Sequence, residues 1–421
     1  MKKNVLKITA LLAFGFLFVG CNEDFLETTP LSEVADTSVW SDPKLAEAAV
    51  LDLYQGTWAG TLTREETTDA FTDQAVFTHP GRGVDGYTEG KMNPAGNFMD
   101  MQWFSWPQLY PFIRSANNAI QKLTLNEAGM EATLVNRLLG EAYFMRGYFY
   151  TQLMRQFGGV VLTLEPLTLE SEANNPRATF AETVNQILSD LDRAIDLLEE
   201  APRDPARADK ITALAMKSRV LTHVASDLYE PSKNSGVSTI ASYSNPELIG
   251  WTSGSQLQRW EAAKVASKAL LDATTGYKLD YTSPASQEEA IINYEDIWLQ
   301  GDENQDFIWG RLVEEFGFGS RTYPGGDGWS QGPGMVALYH GPNGYREWAG
   351  TTPTEALVSK YDFADGTKFD WDNPAHAAAP YDNREARFYS TFLYDGGGWK
   401  QRTDDVVKFD KFNELQTGYY T

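Results

Sequence analysis

Glu141-Ala142-Tyr143-Phe144-Met145-Arg146-Gly147-Tyr148-Phe149-Tyr150 begins a stretch that runs on to Phe157-Gly158-Gly159-Val160-Val161-Leu162. Around it, Leu134, Leu138, Ala142, Met145, Phe149 and Leu153 recur at steps of three and four residues. That spacing predicts one long amphipathic helix over residues 131 to 157. The Gly158-Gly159 pair supplies its stop, and Val160-Val161-Leu162 reads as a short extended piece. Arg146, inside the helix, is read as a structural hydrogen-bond donor.

The same period appears on either side. Ser41-Asp42-Pro43 has the form of a helix start, with proline in the first turn, followed by Leu45, Ala48, Ala49 and Leu53. Tyr110, Ile113, Asn117 and Ile120 form one stripe between Trp106 and Leu123. Further helices are expected over 179 to 200, closed by Pro202 and Pro205, and over 210 to 229 and 258 to 273. Each has one apolar stripe and cannot bury it alone, so stacked hairpins are the economical solution. The expected fold class is mostly α: a tetratricopeptide-like helical-hairpin scaffold whose repeat of roughly 34 residues is interrupted by insertions.

Two regions break the period. Residues 59 to 103 are rich in glycine and aromatics, and so long a non-periodic stretch reads as a functional loop. From 281 to 421, Gly, Pro, Asp and aromatics dominate. This part is expected to be a loop-rich subdomain with few helical runs, a short buried strand at Phe307-Ile308-Trp309 and a short helix over 355 to 362. The resulting division is 1–20, 21–37 as tether and lead-in, 38–280 as helical scaffold, and 281–421.

The first 20 residues explain themselves differently. Lys2, Lys3 and Lys7 precede an apolar run from Ile8 to Val19, too short to span a bilayer but long enough for a signal peptide. Phe18-Val19-Gly20 leads into Cys21, the only cysteine in the chain. The arrangement resembles a bacterial lipobox, although Leu17 stands one position earlier than usual. The expectation is a lipid-anchored protein that begins at Cys21. A single cysteine also excludes an internal disulfide and a multi-thiolate zinc site.

The chain carries 58 acidic and 35 basic residues, a net charge of −23. This excess argues against nucleic-acid binding, which requires clustered Lys and Arg. His79, His223, His340 and His376 form no H-E-x-x-H pair, and neither a Walker loop nor a G-x-S-x-G elbow occurs. Asp302-Glu303-Asn304-Gln305-Asp306 fails as an EF-hand, with Phe307 at the glycine position and Val313 at the glutamate position. His223 is read as a packing residue. No cofactor, metal or catalytic residue is expected, and a glycosidase-like carboxylate pair is not singled out.

Several stretches in sequence order are similar to the SusD-like (RagB/SusD) outer-membrane lipoproteins. They are Cys21-Asn22-Glu23-Asp24-Phe25-Leu26, Trp40 with Ala48, Ala49 and Tyr54, and Trp106 through Tyr110, Ile113, Arg114, Ala116 and Asn117. The quoted Glu141 to Leu162 stretch follows, then Ala208-Asp209-Lys210-Ile211, Pro353-Thr354 with Leu357-Val358, and Tyr381 to Phe388. The resemblance implies a non-catalytic glycan-binding protein, anchored through Cys21 on the outer face of the outer membrane. Its implied partner is a SusC-like TonB-dependent transporter, to which it delivers oligosaccharides. Alternatives are a surface glycoside hydrolase, or the family role with a peptide or other nutrient. Family members usually continue with a further helical pair, so the chain is expected to be a C-terminally truncated copy.

Sugar binding needs aromatic faces beside carboxylates, amides and arginine, best displayed on loops over a rigid scaffold. Two stretches meet that description. Residues 69 to 103 offer Asp69, Phe71, Asp73, Phe77, His79, Arg82 and Tyr87, and residues 316 to 348 offer Tyr323 and Trp329.

Overall fold

A computed structural model describes residues 36–58, 68–78, 88–90, 106–167, 175–199, 204, 206–274, 283–299, 307–310, 340–341, 349–394 and 397. Its main elements, in chain order and apart from 3-10 turns and the single helical turn Ser238–Ala241, are α1 (Asp36–Ser41), α2 (Pro43–Asp52), β1 (Ala75–Phe77), α3 (Trp106–Leu125), α4 (Ala132–Phe157), α5 (Phe180–Leu197), α6 (Lys210–Val224) and α7 (Gln256–Ala273). There follow α8 (Gln287–Leu299), β2 (Thr351–Pro353), α9 (Glu355–Val358), α10 (Pro374–Ala378) and α11 (Ala386–Thr391). The architecture is helical. Helices α3 to α7 pack each on the next in sequence, which is the tetratricopeptide-like stacking that the apolar stripes require.

Local chemistry sets the helix ends. Asp42 caps α2 through Lys44 N at 2.8 Å, and Asp209 caps α6 through Thr212 N at 2.7 Å. Thr179 and Glu182 form a reciprocal capping box at the start of α5. At the end of α4, Gly158 takes φ +73°, the left-handed region that glycine tolerates. A Cβ there would meet Leu248 O at 2.2 Å, and one on Gly159 would meet Ala178 O at 2.1 Å. The Gly-Gly pair therefore ends the helix and also admits two backbone segments against it.

The core follows the long helix. Of the expected stripe, Leu138, Ala142, Met145, Phe149 and Leu153 are buried and Leu134 is half-buried, but Phe144, Tyr148, Tyr150 and Met154 are buried too. Helix α4 is thus buried nearly all round, because α3 and α5 cover two of its faces. Burial of large apolar side chains of this kind contributes roughly 1.5–3 kcal/mol each.

Two polar clusters tie the helices together. Arg146, 5% exposed, donates through Nε and one terminal nitrogen to Asp190 on α5 at 2.9 and 2.6 Å, and through the other to Asn117 Oδ1 on α3 at 2.8 Å. Asn117 Nδ2 passes the link on to Thr163 O at 2.8 Å. Nearer the N-terminal end of α4, Glu141 accepts from Tyr54 and Arg207, and Arg207 also reaches Glu47 on α2 at 2.6 Å.

Several expectations on element bounds change. Helix α6 ends at Val224, and a 3-10 turn, Asp227–Tyr229, occupies the rest of the stretch. Helix α8 was not expected; its amphipathic pattern is short and is stabilised by packing on α11. Phe307-Ile308-Trp309 pairs in no strand. Trp309 instead places its ring on the core, 5.1 Å from Phe144 and 5.6 Å from Tyr148, centroid to centroid. The helix expected over 355 to 362 is the single turn α9.

Candidate ligand site

The only sheet among the described residues joins two distant segments. β1 pairs antiparallel with β2, with Ala75 opposite Pro353, Val76 opposite Thr352 and Phe77 opposite Thr351. The ladder extends at both ends. Thr78 N donates to Gly350 O at 2.9 Å, and Thr354 N donates to Gln74 O at 2.8 Å. Thr354 Oγ1 also donates to Asp73 O, while accepting from Leu357 N at the start of α9. One threonine therefore fastens the 69–78 loop, continues the sheet and caps a helix.

This pairing positions four of the expected ligand residues. Period-two alternation turns Ala75 and Phe77 inward and Val76 outward. Phe77 is only 7% exposed and packs with Ala70 and half-buried Phe71, so its ring supports the loop from beneath. Asp69 and Asp73 are exposed, and their carboxylates can accept hydrogen bonds from a ligand's hydroxyls. His79, Arg82, Tyr87, Tyr323 and Trp329 lie outside the described residues, as does Cys21.

Just past β2 lies an aromatic cluster that includes part of the Tyr381 to Phe388 stretch but is not among the expected ligand residues. Arg384, 1% exposed, donates to the carbonyls of Val358, Tyr361 and Pro380 at 2.9, 2.6 and 2.7 Å. Its guanidinium lies 4.4 Å from the Phe369 ring centroid and 4.6 Å from that of Phe388. Carbonyl dipoles and ring faces thus take the place of a paired carboxylate around this charge. Phe369 in turn meets the Trp371 ring edge-on at 4.9 Å. The sequence signal, Asp370-Trp371-Asp372-Asn373-Pro374, was an aromatic set among turn residues.

A separate cleft of about 370 Å³ lies between α4 and α6, lined among others by Tyr148, Arg155, Arg219, His223 and Trp309. His223 bonds Tyr229 Oη at 2.8 Å, and its pKa is lowered by burial and by Arg155 and Arg219. That matches a packing role. Among the described residues no group of three or more His, Cys, Asp or Glu is placed to hold a metal ion. Nor is any helix of the described residues long and apolar enough to cross a membrane.

The chain is similar to known proteins along most of its length. A family model described as "Starch-binding associating with outer membrane" matches residues 24–221, and the SusD family model matches residues 307–420. SusD-like protein P38 of Formosa agariphila is 29% identical over 246 residues, which cover 57% of this chain and 46% of that protein. A SusD-like protein of Bacteroides ovatus is 21% identical over 347 residues, covering 79% of this chain and 56% of that one. The chain therefore spans about half the length of these relatives. A crystal structure of a SusD-like protein from Bacteroides fragilis superimposes with a TM-score of 0.61 at 23% identity, over 90% of this chain and 65% of that one. A SusD-like carbohydrate-binding protein from the same species gives 0.56 at 18% identity, over 86% and 61%. The ordered sequence matches, the stacked helices and these relatives converge, and the chain belongs to the SusD-like (RagB/SusD) family.

Proposed function

We propose that this protein is a non-catalytic cell-surface receptor that binds oligosaccharides or polysaccharides and passes them to a SusC-like TonB-dependent transporter. Lipid on Cys21 would hold it at the outer face of the outer membrane. The observation that carries the reading is the β1–β2 pairing, which fastens the loop bearing the exposed Asp69 and Asp73 to the loop-rich C-terminal part. Polar loops on a rigid support are the arrangement that glycan recognition uses. Asp69, Asp73 and Phe71, with His79, Arg82, Tyr87, Tyr323 and Trp329, form the proposed ligand surface, and Phe77 supports it.

Affinity electrophoresis through gels containing amylopectin, xylan, pectin or a β-glucan tests the binding half. Retardation in at least one gel without release of reducing ends is expected. Uniform mobility in all four, or steady release of reducing ends, overturns it. Co-purification of a TonB-dependent transporter with the membrane-anchored protein, lost in Cys21→Ala, tests the rest.

A further inference from the structure

Trp371 is 45% exposed, an unusual position for the largest apolar side chain. It is nevertheless held in place. Its only donor, Nε1, bonds Glu355 Oε1 at 2.6 Å, and Phe369 backs the ring edge-on. Ser359 Oγ donates to the same Glu355 oxygen, while Oε2 accepts no hydrogen bond among the described residues.

The loop that carries Trp371 is pinned on both sides. Asp370 N donates to His376 Nδ1 at 3.2 Å, Asp372 N to Asp370 Oδ1 at 2.9 Å, and Asn373 Oδ1 caps α10 through Ala375 N at 3.0 Å. Behind it, Phe369 rests on the buried Arg384. Glu355 also follows directly on Thr354, the residue bonded to Asp73 O. The carboxylate that holds the ring is thus one residue along the chain from the threonine that fastens the exposed loop of the proposed ligand surface.

We propose that Trp371 is a stacking platform for a pyranose ring of the bound glycan, with Glu355 Oε2 accepting from a hydroxyl of the same sugar. The inference rests on the glycan-binding reading and extends its surface to a residue pair outside the expected loops. A fixed aromatic face with an adjacent free acceptor suits a sugar, which presents apolar C–H groups on its face and hydroxyls at its edge. Because the ring is already oriented, little side-chain freedom is lost on binding.

The test is affinity electrophoresis of the full chain in the polysaccharide gel that retards the wild type most, with a thermal melt of each variant alongside. Trp371→Ala should weaken retention at least tenfold, Trp371→Phe should retain part of it, and Glu355→Ala should weaken it less than the loss of the ring. All three should melt close to the wild type, since the platform is exposed. Wild-type retardation with equal retardation of Trp371→Ala overturns the platform and leaves the glycan reading standing. No retardation of the wild type in any gel overturns both. Equal loss of binding by Trp371→Phe and Trp371→Ala, with an unchanged melt, also overturns the stacking role.

Discussion

Arg146 and Asp190 meet across the α4–α5 interface in a two-pronged ion pair, 5% and 1% exposed, with bonds of 2.9 and 2.6 Å. The remaining guanidinium nitrogen goes to Asn117 on α3 and to Leu164 O at 3.1 Å. Three helices and the chain after Gly159 thus share one charge. Breaking a buried pair on one side leaves the other charge uncompensated, at a cost of about 3–5 kcal/mol. Arg146→Met should destabilise by that amount in urea unfolding, and Arg146→Met with Asp190→Leu should recover a large part. Equal losses in the single and double variants would contradict this account.

Gly158→Ala and Gly159→Ala should each destabilise the fold, by about 1–3 kcal/mol. The first would strain a backbone at φ +73°, and both would push a Cβ into a carbonyl oxygen. Gly236→Ala, where nothing lies within 4 Å, is the control that should leave the melting temperature nearly unchanged.

Thr354→Val removes the hydroxyl bonded to Asp73 O and the cap on Leu357 N. It should cost about 1 kcal/mol globally. Amide exchange should accelerate selectively at residues 74 to 78 and 351 to 354, because the sheet loses its end fastening. A change confined to α9 would show that the loop is held by other means.

Stability should fall on acidification, with a sign that follows from the shifts. Hydrogen bonds from Arg207 to Glu47, from backbone Thr133 and Leu134 to Glu131, and from backbone Thr179 to Glu182 hold these carboxyls below their usual range. A carboxylate depressed in the folded state contributes stability that is present above its unfolded pKa, near 4.3, and is lost as pH falls through the folded value. Glu141 and Asp190, pushed up by burial, act in the opposite direction and make the slope shallower. The melting temperature should therefore decline below about pH 4. Glu182→Gln, which keeps the capping geometry without the titration, should flatten part of that decline.

Much of the scaffold was legible because its signals are local. The apolar steps from Leu134 to Leu153, Asp42 before Pro43, and the Gly158-Gly159 stop each act within a few residues. Helix α8 was not legible, because its short pattern is supported by α11, roughly a hundred residues later. The same holds for Trp309: an apolar triplet suits a strand or a packed segment equally, and only Phe144 and Tyr148 decide. At the proposed ligand surface, Asp69, Phe71, Asp73 and Phe77 are nominated by residue type. Type alone could not separate the exposed carboxylates from the ring that is buried beneath them.

The sequence by itself determined a stacked helical scaffold, its caps and stops, and the family to which the chain belongs. Periodicity and capping are properties of neighbouring residues, so a single chain displays them wherever the pattern is long enough, as it is not in α8. Only the tertiary structure decided that residues 75–77 pair with 351–353, that Arg384 lies buried among carbonyls and rings, and that Trp371 stands exposed and fixed by Glu355. Those outcomes depend on which distant backbone and side-chain groups meet, and hydrogen bonding and burial select such partners without leaving a period in the sequence.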